Sequence, residues 1–176
     1  MSTRRASEYT PAVLTGARED QLSHRASVAA AFAAAGVVSA LANATAPFTR
    51  GWWLVAYLIL VGCLSQLLLG EGQLSHAARV HGRAPSAVRM RWQLALWNLG
   101  ALIVAVAEMA SEPGLVLAGS LLLLLSLALF AVACSWIART ATHRARRWER
   151  YYLLLVMFLA VSVLTGCGLA GALPGQ

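Results

Sequence analysis

Five long apolar runs, separated by short polar stretches, organise the chain; they cover residues 27–46, 52–70, 92–110, 115–138 and 151–173. Each comes near the roughly 20 residues a helix needs to cross about 30 Å of hydrocarbon. No segment alternates apolar and polar residues over the length of an outer-membrane barrel strand. The pattern predicts an all-α, polytopic integral membrane bundle of five transmembrane helices. Residues 1–26 read as a polar tail with a short helix over 17–25, and residues 174–176 as a tail beyond Pro174, which stops the last helix.

The runs differ in character. The first is alanine-rich, with small residues Gly36, Ala40 and Ala44 at spacing four, so it is expected to pack closely inside the bundle. The second opens on Trp52, Trp53 and Tyr57, an interfacial aromatic cluster. Its helix is expected to run on past the bilayer towards Gly82, with a turn at Ala84-Pro85-Ser86. The third ends at Ser111-Glu112-Pro113-Gly114, where two breakers make a tight turn. The fourth carries an unbroken leucine stretch from Leu121 to Leu125, suited to lipid contact on several sides.

Charge orients the runs. All 14 basic residues are arginines, and only Arg50 lies outside the segments 1–26, 71–91 and 139–150. Arginine-rich loops stay cytoplasmic, so the N-terminus is expected in the cytoplasm and the C-terminus outside. An odd number of spans requires the same result. The net charge of +7 is thus read as topological charge facing anionic headgroups, with no nucleic-acid partner. The wealth of Ala, Leu, Val and Arg and the lack of lysine suggest a GC-rich bacterial genome, hence a plasma (inner) membrane location.

The first run has a rival reading. Arg25, the apolar stretch after it and the small residues from Ala40 to Ala44 resemble a signal peptide with its cleavage site. The long preceding tail and the continuation to Ala46 oppose it; four spans would remain, with the loops on the same sides. Arg4-Arg5 stands too far from the run to act as a twin-arginine signal. Asn43-Ala44-Thr45 is a sequon, of consequence only in a eukaryotic secretory pathway. Cys63, Cys134 and Cys167 each lie within an apolar run, without a CxxC pair, and read as small packing residues.

Few polar residues remain to carry chemistry. Glu108 falls late in the third run, with Glu112 four residues on along the same face. An ionisable group at that depth faces protein or a water-filled cavity; an interfacial carboxylate beside the turn is the plainer account. A second set, Ser65, Gln66, Glu71, Gln73 and His76, lies towards the inner end of the second run, at a depth shared by Gln93 and Asn98 of the third. These amides are expected either to bond between helices or to line a polar pocket. His24, His76, His81 and His143 all fall on the arginine-rich side. Haem b would need facing ligands at matched depth, for which His76 and His143 are the candidates. His76 and His81 miss the spacing of a helical metal pair, and Gly166-Cys167-Gly168-Leu169-Ala170-Gly171 matches GxGxxG without the preceding strand.

No catalytic constellation emerges. The leading expectation is an accessory or scaffold subunit, associating with itself or a larger membrane complex through its small-residue helices. Alternatives are an oligomeric transporter or channel using Glu108, and a membrane enzyme or haem protein acting on a lipophilic substrate through Glu108 with Glu112, or Glu71 with His76.

Overall fold

The structure, a computed structural model, describes residues 10–80, 86–138 and 145–169, with the backbone alone at 10–22, 74–80, 87, 136–138, 145–148 and 167–169. Among the described residues every regular element is helical: α1 (Thr10–Thr45), α2 (Gly51–Tyr57), a π-helical segment (Leu58–Leu64), α3 (Ser65–Val80), α4 (Ala87–Ala110), α5 (Pro113–Ala138) and α6 (Ala145–Leu169). The segments α2, π and α3 follow one another without a break, so there are five rods. Each contains a stretch long and apolar enough to cross a membrane. The histidine pair considered for haem lies outside what is described: His143 entirely, His76 in its side chain.

Helix α1 begins earlier than the sequence suggests. Its first turn contains Pro11, and proline is tolerated there because that N–H has no partner in a helix anyway. The helix then runs unbroken through residues expected to form a tail. Where the second run is expected to outlast the bilayer, α3 continues to Val80. Ser86 caps α4 by accepting from the Arg89 N–H at 3.4 Å.

Packing follows the small residues. Gly100 of α4 and Gly119 of α5 lie so close that a methyl on Gly100 would sit 2.8 Å from the Gly119 carbonyl. Phe32 of α1 fills the space left by Gly62, and Ile59 covers Gly36, so the first rod is fitted to the second residue by residue. Asn43 lies against Gly51, and its Oδ1 accepts from the Phe48 N–H at 3.2 Å, tying the first turn together. The apolar stretches of the middle three rods are each 39 % buried, against 22 % for α1 and 11 % for α6. The outer two rods therefore flank a three-rod centre built around Trp97, Leu69 and Leu123.

The π segment is accommodated by side chains. Widening the helix to i→i+5 bonding disturbs the regular ladder, and side chains complete the bonding of three carbonyls in it. Ser65 Oγ donates to the Leu60 carbonyl at 2.7 Å. Trp97 Nε1 of α4 donates to that of Val61 at 3.1 Å, and Gln66 Nε2 donates to that of Gly62.

A substitution at Gly100 meets backbone, which cannot yield as a side chain can. Gly100→Ala should lower stability by about 1–3 kcal/mol, read from unfolding of the protein in detergent. A methyl on Gly166 would have nothing within 4 Å, so Gly166→Ala should stay within about 1 kcal/mol of wild type or gain slightly.

Candidate functional site

The α4–α5 turn and the α1–α2 turn meet at one end of the bundle. Helix α4 stops in a Schellman arrangement: Ser111 takes the left-handed conformation (φ 58°), and the Glu112 N–H donates to the Ala107 carbonyl at 2.9 Å. This leaves Glu108 in the last turn, pointing at the start of α2. Arg50 there is also left-handed (φ 67°), a conformation uncommon outside glycine. Its Nη1 donates to Glu108 Oε1 at 2.6 Å and to the Glu108 carbonyl at 2.8 Å. The guanidinium thus closes the C-terminal end of α4, where the helix dipole favours a cation. It is the only ion pair among the described residues. The Glu108 side chain is 12 % exposed and that of Arg50 41 %, so the carboxylate is sheltered while the cation reaches outwards.

Below this pair lies a cavity of about 380 Å³. Its walls come from every rod except α1. Trp53 and Tyr57 of α2 stack on one side, with ring centroids 4.9 Å apart. Trp97 and Val104 of α4 and Leu123 of α5 form the floor and back. Ser162 and Gly166 of α6, like Arg50 and Trp53, line the cavity and are exposed, so its rim lies between α2 and α6. From Arg50 to Ser65 the wall runs over 15 residue steps, roughly 22 Å at a helical rise. Both Arg50 contacts use Nη1, which leaves Nη2 and Nε with donors free to meet a ligand oxygen at the mouth.

Of the other residues picked out from the sequence, Ser65 lines the cavity and the rest are placed apart. Glu112 is exposed on the turn and does not line the cavity. Gln66 Nε2 donates to Asn98 Oδ1 at 2.7 Å, so these two amides bridge the second and third rods. Gln73 and Gln93 are buried and Glu71 is exposed. Among the described residues no group of three His, Cys, Asp or Glu side chains is placed to hold a metal. The sequence does not reveal Arg50 as the partner of Glu108. The signal it offers is that one arginine stands alone on the arginine-poor side, at the same end as that carboxylate. Comparison of the chain with protein families, curated proteins and solved structures found no match.

Removing either partner of the pair should have unequal effects. Arg50→Met strands a sheltered carboxylate and should cost about 2–3 kcal/mol. Glu108→Gln leaves a half-exposed cation that water can serve, and should cost less than about 1 kcal/mol. The double variant Arg50→Met/Glu108→Gln should be no less stable than Arg50→Met alone. Denaturant unfolding of the three proteins in one detergent checks this order.

Proposed function

We propose that the chain is a plasma-membrane protein of bacterial type, with residues 1–26, 71–91 and 139–150 in the cytoplasm and the C-terminus outside. In this reading it binds a single-chain amphiphile from the outer leaflet. The hydrocarbon tail enters the cavity past α6, and an oxygen of the polar head meets Arg50. The observation that carries this is the cavity itself: mostly apolar and aromatic, with three serines in its lining and the Arg50–Glu108 pair at one end. A few fixed polar groups beside an apolar pocket are the usual composition of a small-molecule site, and about 380 Å³ lies at the small end of the roughly 300–1,000 Å³ typical of such sites. That volume suits one acyl or prenyl chain better than a two-chain phospholipid.

The accessory or scaffold role expected from the sequence lacks a comparable observation, since apolar outer faces are what lipid itself would cover. Use of Glu108 for proton or cation transfer is disfavoured by its engagement with Arg50, which favours a fixed carboxylate. Binding, with release or presentation of the amphiphile to another membrane protein, is the form in which the accessory reading is retained.

Trp97 offers a direct test, because it lines the cavity and is only 1 % exposed, out of reach of surrounding lipid. In a variant keeping Trp97 as its sole tryptophan, a single-chain amphiphile brominated on its tail should quench fluorescence saturably. Ser120→Phe, which fills the cavity from a buried wall position, should abolish the quenching. Arg50→Gln should weaken it about tenfold, the worth of one charge-assisted hydrogen bond. Quenching that never saturates, or that survives Ser120→Phe, would remove this reading.

A further inference from the structure

The opposite end of the bundle holds a buried cation that the outer cavity does not use. Arg25 lies in α1, two residues inside the first membrane-length stretch, Ser23–Thr45. An arginine so placed ordinarily extends to the headgroups. This one turns inwards and is 7 % exposed. It rests over Gly70 of α3, where a methyl would come 2.5 Å from its Nη1 and 3.3 Å from its Cδ. The guanidinium therefore rests in the notch left by Gly70, where a methyl would push Nη1 aside.

Its surroundings do not satisfy it. Nη2 has no hydrogen-bond partner, and no described carboxylate forms an ion pair with it. Glu71 and Tyr152 are the ionisable neighbours. Glu71 is exposed, and the Tyr152 hydroxyl is committed to the Leu69 carbonyl at 3.3 Å. Gln73 lies one turn further inwards and about 60° round α3 from Gly70. It is 1 % exposed, and neither its Nε2 nor its Oε1 has a partner. A buried charge without a counter-ion is costly, as is each unpartnered buried amide. The unpartnered guanidinium donor, at the end of the bundle that carries the arginines, calls for an anion, to which the Gln73 amide one turn along α3 offers a further N–H.

We propose that Arg25, seated over Gly70 with Gln73 one turn along α3, binds a phosphate oxyanion at the end of the bundle opposite the Arg50–Glu108 pair. Guanidinium is suited to this, because its planar fork meets two phosphate oxygens at once. The oxyanion comes either from an anionic lipid headgroup or from free phosphate. The site is independent of the amphiphile cavity, from which Arg25, Gly70 and Gln73 are absent.

Native mass spectrometry of the full-length protein, delipidated and offered equal amounts of phosphatidylglycerol and phosphatidylcholine, tests this. The wild type should keep one phosphatidylglycerol with about tenfold preference, the worth of one charge-assisted contact. Arg25→Gln should lose the preference and Arg25→Lys keep part of it. Arg89→Gln, which removes an exposed arginine from the same end, should keep all of it. If excess inorganic phosphate leaves the lipid in place, the ligand is the headgroup. If phosphate displaces the lipid and raises the melting temperature of wild type but not of Arg25→Gln, the ligand is the free ion. Should Arg25→Gln fail to fold, Gly70→Ala displaces Nη1 while keeping the charge, and should weaken retention several-fold. Equal retention of both lipids by wild type with no effect of phosphate overturns the proposal. So does retention by Arg25→Gln, or by Gly70→Ala, equal to that of wild type.

Discussion

Polar groups buried among apolar helices have no water to bond to, and the need to supply partners from within the protein shapes three departures from regular helix among the described residues. The π segment is tolerated because Ser65, Gln66 and Trp97 donate to its carbonyls. The Asn43 side chain serves the turn between the first two rods, and Arg50 serves the end of α4. In each case the helix is broken or widened only where a side chain stands ready to replace the lost bond. The same requirement makes Arg25, Gln73 and Gln93 conspicuous, because there the protein's own partners run short.

The cavity follows from how the rods share contact. Gly100 and Gly119 draw α4 and α5 together backbone to backbone, and Trp97 ties α4 to the π segment. Those contacts make a stiff centre. Helix α6 joins that centre through its inner half, where Tyr152 and Val156 are buried, whereas Val161 and Leu164 further out are exposed. Space is left between the outer half of α6 and the aromatic face of α2. The ion pair stands over this space because two turns with left-handed residues, Arg50 and Ser111, bring their side chain and helix end together. Close packing at the centre and slack at one flank thus leave the cavity at the side of the bundle.

Much of this is legible in the sequence. Apolar run length locates all five rods, since a helix long enough to span hydrocarbon needs little else to declare itself. Glu108 stands out because a carboxylate late in an apolar run is costly. Its pairing with Arg50 is not legible, because it depends on where two turns meet in space. Nor is the π segment, as its seven residues carry the same apolar pattern as the helix around them. Arg25 reads as topological charge, which is what an arginine before an apolar run usually is; its seat against Gly70, far away in sequence, is visible only in the fold. The sequence places the start of α1 too late because Pro11 and polar residues argue against a helix locally, whereas a proline in the first turn permits one.

The central claim is that five helices cross a bilayer with the arginine-rich loops in the cytoplasm. Fusing alkaline phosphatase, active only outside, or green fluorescent protein, fluorescent only inside, to Gln176 measures it directly in a bacterial host. An active phosphatase and a dark fluorescent protein are predicted; the reverse pair would contradict the orientation and, with it, the outer-leaflet site.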